Sequence, residues 1–157
     1  MSKKWKKFVK ENKDIEGLAA RVFCINKDGC LLIIKRSKKS YSGKGKWDIP
    51  GGHVDEADES LELAALRELF EETNLVCSEE KLIYVGRDDW NGDKVYYYTY
   101  LYTHGDIKLL PNPESGFLEH TKYEWATIDD IIHYENQELT TFPIYLLRKA
   151  LEKVQNL

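Results

Sequence analysis

With 157 residues, 42% of them apolar and 32% charged, the chain is long enough for one domain with a buried core and too ordinary in composition for a disordered or fibrous protein. A formal net charge of -4 disfavours a dedicated nucleic-acid binder. Cys24, Cys30 and Cys77 show no C-x-x-C spacing, which excludes a zinc signature and a disulfide framework and leads us to expect reduced thiols in a cytoplasmic protein. No apolar run approaches the roughly 18 residues of a bilayer span, and the lysine-rich start has no apolar core behind it, so neither a membrane segment nor a signal peptide is expected.

Residues 1–13 interleave Lys3, Lys4, Lys6, Lys7, Lys10 and Lys13 with Trp5, Phe8 and Val9, the apolar spacing of a short amphipathic helix. They read either as a solvated arm packed on the domain or as a surface for nucleic acid or another acidic partner. Residues 18–26 are apolar and β-rich, Asp28-Gly29 is a hairpin turn signal, and 30–34 read as the returning strand of a buried hairpin. Lys35, Arg36, Lys38, Lys39, Lys44 and Lys46 then follow within twelve residues, as a solvated loop or a docking surface for an anion.

Residues 47–49 make a short strand closed by Pro50, after which Gly51-Gly52 lets the backbone pass close to whatever lies beside it. Ser60 is the expected N-cap of a helix running to about Thr73, and Asn74 stands where a left-handed C-terminal cap falls. On that helix Leu63, Ala65, Leu66, Leu69 and Phe70 are expected to face the core, opposite the acids. Further strands are expected over 81–87 and 95–103, joined by an Asn91-Gly92 turn, and over 122–126. Tyr96, Tyr98, Tyr100 and Tyr102 share one face of the tyrosine-rich strand. Thr127 should cap a short helix over 128–133, and a last helix should cover about 143–154. Strands and helices do not alternate regularly, which disfavours a doubly wound sheet.

The chemistry concentrates in Glu68, Glu71 and Glu72. At 3.6 residues per turn they occupy an arc of roughly 100° on one helix face, where like charges repel and Arg67 is the sole cation of the helix. Two carboxylates about 4 Å apart repel by roughly 4 kcal/mol at an effective dielectric of 20, which a hard divalent cation would turn into affinity. Mg²⁺ or Mn²⁺ suits such oxygen ligands.

The stretch from Gly52 to Leu75 resembles the Nudix box, G-x5-E-x7-R-E-U-x-E-E-x-G-U with U a bulky aliphatic residue. Counted back from Arg67, the box's first glutamate falls on Glu59, and Arg67, Glu68, Leu69, Glu71, Glu72 and Leu75 match. One extra residue lies between Gly52 and Glu59, and Asn74 replaces the last glycine.

The resemblance implies one α/β domain over 1–157 with the Nudix fold, a mixed β-sheet sandwiched between α-helices. It also implies Mg²⁺- or Mn²⁺-dependent hydrolysis of a nucleoside diphosphate derivative, such as a nucleoside triphosphate, nucleotide sugar or dinucleoside polyphosphate, by attack of metal-activated water. Carried over to this chain, Glu68, Glu71 and Glu72 are metal ligands, Glu68 or Glu72 acts on water, and Gly52 offers a backbone carbonyl. Arg67 and Glu59 form an ion pair that orients the acids. A further acid from a later loop falls on Glu119, with Glu114 and Glu124 as competitors.

Lys35, Arg36 and Lys46 are expected to neutralise phosphate oxygens, and Trp47, Tyr41 or the tyrosine strand to stack on a base. The expected partner is a small-molecule nucleotide, without membrane and with nucleic acid disfavoured; a homodimer is left open. The alternatives are a nucleotide-sensing Nudix domain without catalysis, an RNA 5′-end pyrophosphohydrolase, and an isoprenoid diphosphate isomerase, which would need a cysteine placed for protonation.

Overall fold

A computed structural model describes residues 17–40, 42–90 and 92–157. The lysine-rich segment 1–13, Tyr41 and Asn91, each given a role above, lie outside the described residues. The elements run β1 (Leu18–Ile25), β2 (Leu31–Arg36), β3 (Trp47–Asp48), β4 (Gly51–His53), α1 (Leu61–Thr73), β5 (Ile83–Trp90), β6 (Asp93–Leu101), β7 (His120–Ala126), α2 (Ile128–Asn136) and α3 (Ile144–Gln155). The seven strands form one mixed sheet in the order β3-β2-β1-β6-β5, with β4 added to β1 and β7 to β2.

β1 is apolar almost throughout because both of its faces are covered. It pairs in parallel with β6 along its whole length, from Leu18↔Lys94 to Ile25↔Leu101. Ala19, Phe23 and Ile25 join a core with residues of α2 and α3, including Ile131, Leu146 and Leu147. Leu18, Ala20, Val22 and Cys24 join the opposite core with Ala64, Ala65 and Leu69 of α1. The sheet is therefore sandwiched between helices, as expected.

The expected hairpin of β1 and β2 is narrower than the pattern suggests. The two strands meet at Ile25↔Leu31 and then part, so that β4 pairs with β1 at 19–21 while β3 pairs with β2 at 34–35. This split brings the glycine turn to the middle of the sheet. Around it the local signals hold. The Ser60 side chain accepts from the Leu63 N–H at 3.0 Å, and Asn74 sits at φ 68°, its N–H donating to the Phe70 carbonyl. Thr127 caps α2 in a reciprocal capping box with Asp130.

The helix face, however, is rotated from the expected one. Ala64, Ala65, Leu69 and Thr73 are buried, whereas Leu63 and Phe70 are 36% and 48% exposed. Glu68 and Glu72 thus flank the buried stripe rather than opposing it, and they enter the helix–sheet seam. The tyrosines are packing groups: Tyr98 and Tyr100 lie in the core beneath α1, with Tyr96 and Tyr102 packed against it.

One polar knot crosses the sheet. Asp48 on β3 pairs with Arg21 of β1 and with Arg36 NH1 of β2 at 3.0 Å, and it meets His120 Nε2 of β7 at 3.2 Å. It also accepts from the Thr141 hydroxyl at 2.7 Å and from the Ile49 N–H. Burial opposes its ionisation, but Arg21, His120 and Arg36 outweigh burial and hold it well below the usual carboxylate range. Asp48→Ala leaves the buried Arg21 without its acid, and we expect a loss of about 3–5 kcal/mol in unfolding free energy, read from the denaturant midpoint.

Candidate active site

The acids of α1 open onto a cleft of about 840 Å³ that runs across the sheet where β1 and β2 part. Glu68, Glu71 and Glu72 line it together with Gly51, Gly52, Arg67 and Glu119. The glycines are there for space. A Cβ on Gly52 would lie 2.7 Å from the Glu68 carboxylate, and one on Gly51 would lie 2.6 Å from the Ala20 carbonyl oxygen. The Gly51 N–H donates to Glu72 Oε2 at 3.3 Å, so the turn both admits one acid and binds the next.

Arg67 organises the rest, but with a different partner from the expected one. Its Nε and NH2 donate to both carboxylate oxygens of Asp58 at 2.9 Å, a bidentate pair, while Glu59 is exposed and takes no part. Asp58 stands after five residues from Gly52, so the extra residue falls between the first acid and Arg67 instead of before the acid. Asp58 is buried and also accepts from the Asp55 N–H at 2.8 Å, closing the loop as a turn. Arg67 NH1 then reaches Glu68 at 3.0 Å and Glu71 at 3.1 Å.

The Arg67 guanidinium faces Asp58, Glu68 and Glu71, whereas Glu72 accepts from the Gly51 backbone. Burial, then Glu68 and then Asp48 push the Glu72 carboxyl well above its ordinary 4.5. Burial also raises Glu68; Arg67 draws it back, and Glu71 adds to the rise. Oxygens of Glu72 and Glu119 and a ring nitrogen of His120 lie within 4.8 Å of one another. A hard divalent cation fits this donor set, since it needs several oxygens and supplies the positive charge that the acids lack.

Of the other expected residues, Arg36 and Lys46 line the cleft, whereas Lys35 and Trp47 do not. Trp47 is 4% exposed in the core on the α2–α3 side, with the Lys35 ammonium 5.5 Å from its ring centroid, so both serve packing rather than substrate. Glu114 also lines the cleft; Glu124 instead accepts from the Tyr134 hydroxyl at 3.2 Å. Cys24 is buried and its thiol is pushed up to about 12, with Tyr100 drawing it back, which removes it as an acid for isomerase chemistry.

Asp58, Arg21, Asp48 and His120 escaped the sequence reading as members of this neighbourhood. Asp58 emerges by counting forward from Gly52 instead of back from Arg67. Arg21 had a signal, a lone cation in an otherwise apolar strand, which requires a buried acid such as Asp48. His120 had none beyond its place next to Glu119.

A family model, the NUDIX domain, matches residues 16–148. The chain belongs to the NUDIX domain family. A Caenorhabditis elegans protein assigned to the nudix hydrolases is 33% identical over 129 residues, which are 80% of this chain but 32% of that protein, so the chain spans about a third of its length. Phosphatase NudJ of Escherichia coli (strain K12) is 27% identical over 71% of this chain and 69% of its own. Among solved structures, the MutT protein of Methanosarcina mazei Go1 superposes with a TM-score of 0.61 at 28% identity, covering 88% of this chain and 92% of that one. The NUDIX domain of Shewanella oneidensis NrtR, solved with ADP ribose, gives 0.68 at 21% identity over 98% and 99%, a likeness of fold. Among the described residues no helix is long and apolar enough to cross a membrane.

The raised Glu72 carries a stability signature. A carboxyl whose folded pKa lies above its unfolded value contributes stability that is fully present below 4.5 and is lost as pH rises through the folded pKa. In chelator, Glu72→Gln should therefore melt a few degrees above the wild type at pH 8, with the gap closing toward pH 4.5. Thermal unfolding at the two pH values measures it; an unchanged gap would refute the assignment.

Proposed function

We propose that this chain hydrolyses the diphosphate linkage of a nucleoside diphosphate derivative, with a divalent cation held by Glu68, Glu71, Glu72 and Glu119 and by the backbone at Gly52. The observation that supports it most is the half-buried Glu72 beside the Gly51-Gly52 turn, close to Glu119, in a cleft that also presents Arg36 and Lys46. The phosphate-directed name of the 27% identical NudJ is consistent with this reading.

Bound there, Mg²⁺ or Mn²⁺ supplies neutralisation of the phosphate oxygens and a lowered pKa for water. The chain's own residues do the rest. Arg67, anchored by Asp58, fixes Glu68 and Glu71 in the cleft, which spares the site the entropy of ordering these two acidic side chains at the moment of reaction. Glu68 and Glu72 stand in the cleft beside the Gly51-Gly52 turn, where either can take a proton from water as it attacks phosphorus. Arg36 and Lys46 donate to phosphate oxygens at the β2–β3 side; Arg36 is already oriented by donating to the Ser42 carbonyl at 2.7 Å and to Asp48.

A panel of nucleoside triphosphates, nucleotide sugars and dinucleoside polyphosphates with Mg²⁺, read by phosphate or nucleotide release, tests the activity. Glu72→Gln should lower turnover by orders of magnitude, and near-normal turnover would sink the assignment. Asp58→Asn should cost about 10–100-fold by loosening the acids. Glu59→Gln, at an exposed position, should stay within about twofold.

A further inference from the structure

Glu119 enters the cleft from the segment between β6 and β7, far along the chain from the Arg67 that holds Glu68 and Glu71. One of its carboxylate oxygens lies within 4.8 Å of one of Glu72, where like charges push the two apart. A glutamate side chain also has rotamer freedom to lose before it can stay in such a place. The chain supplies a partner that holds it. Asn112 Nδ2 donates to Glu119 Oε1 at 3.1 Å. The amide cannot be turned the other way, because Asn112 Oδ1 accepts from the backbone N–H groups of Glu114 at 2.8 Å and Ser115 at 3.2 Å. Its oxygen is committed to the turn and its NH₂ group to the acid.

The backbone around this contact is anchored independently of it. The Asn112 N–H donates to the Phe117 carbonyl at 2.9 Å, and the Asn112 carbonyl accepts from the Gly116 N–H at 2.8 Å. On the entry side the Leu110 N–H donates to the carbonyl of Glu72 itself at 3.4 Å. On the exit side the Glu119 carbonyl accepts from the Ser37 N–H at 2.7 Å and the Ser40 hydroxyl at 3.4 Å. These anchors set where Glu119 stands, and Asn112 sets where its carboxylate points. Asn112 and Glu119 are half-buried, whereas 113–118 between them are exposed.

Resting on the cation-dependent hydrolysis proposed above, we infer that Asn112 is a positioning residue of this cleft: its amide holds the Glu119 carboxylate beside Glu72, so that the acid from the β6–β7 segment is in place before a divalent cation arrives. Asn112 thus does for Glu119 what Arg67 does for Glu68 and Glu71. The neutral amide orients the acid without cancelling its charge, which remains available to a hard cation.

Calorimetric titration with Mn²⁺ alone, without nucleotide, tests this on the wild type, Asn112→Ser, Glu119→Ala and the double variant. Serine keeps a side-chain acceptor for the turn and lacks the amide N–H that meets Glu119. Asn112→Thr, which also keeps an acceptor, serves where the serine variant fails to fold. Asn112→Ser should weaken Mn²⁺ about tenfold, and Glu119→Ala at least as much. The double variant should lose no more than Glu119→Ala, because the pair is then already broken. A residue that only shapes the turn would lower the affinity again in the Glu119→Ala background. That result, or unchanged affinity in Asn112→Ser, would overturn the positioning. Hydrolysis of the substrate panel by the wild type is scored separately: coupled Mn²⁺ binding without turnover removes the reaction and keeps the positioning, and turnover with additive losses does the reverse.

Discussion

The bidentate pair of Arg67 with Asp58 is the contact on which the site's geometry depends. Helix α1 carries its acids into the helix–sheet seam, and in a seam of low dielectric they would splay or take up protons without a fixed counter-charge. Asp58 uses the guanidinium's Nε and NH2, and NH1 is left for Glu68 and Glu71. Positive charge is thus supplied to the acids that Arg67 holds in place, while burial and Glu68 raise the Glu72 carboxyl.

A second constraint works from beneath. Asp48 gathers β1, β2, β3 and β7 and the Thr141 segment into one hydrogen-bonded knot, and both Arg21 and Arg36 reach the cleft from it. Such a knot is costly to bury unless every member is paired, and among the described residues no buried side-chain polar atom lacks a partner. The split between β1 and β2, which sequence patterning alone reads as a plain hairpin, is where the knot sits. Fold and site are therefore linked through the same few polar groups.

The legible parts of the sequence were those decided locally. Ser60, Thr127 and Asn74 act within a turn of their own helix ends, and their roles follow from side-chain chemistry and backbone preference. The box acids were legible as a spacing. What depends on tertiary partners was not: Leu63 and Phe70 have the right residue type for a core, yet β1 and β6 meet the neighbouring stripe of the helix. Lys35 and Trp47 fell on the wrong side for the same reason, since the face a strand presents cannot be assigned before its neighbours are known. Asp58 was missed because the loop's insertion lies on its other side.

The parallel partnership of β1 and β6 also sets a timetable. Leu18 waits for Lys94, a separation of 76 residues, before its strand gains its long neighbour. During synthesis the apolar β1 segment emerges first and stays without that partner while the glycine turn, the acidic helix and β5 are still being made. Contacts this distant are slow to close, and an unpaired apolar strand is a template for other chains in the meantime. The strand that ends up most protected in the native sheet is, for the nascent chain, the one most in need of shelter.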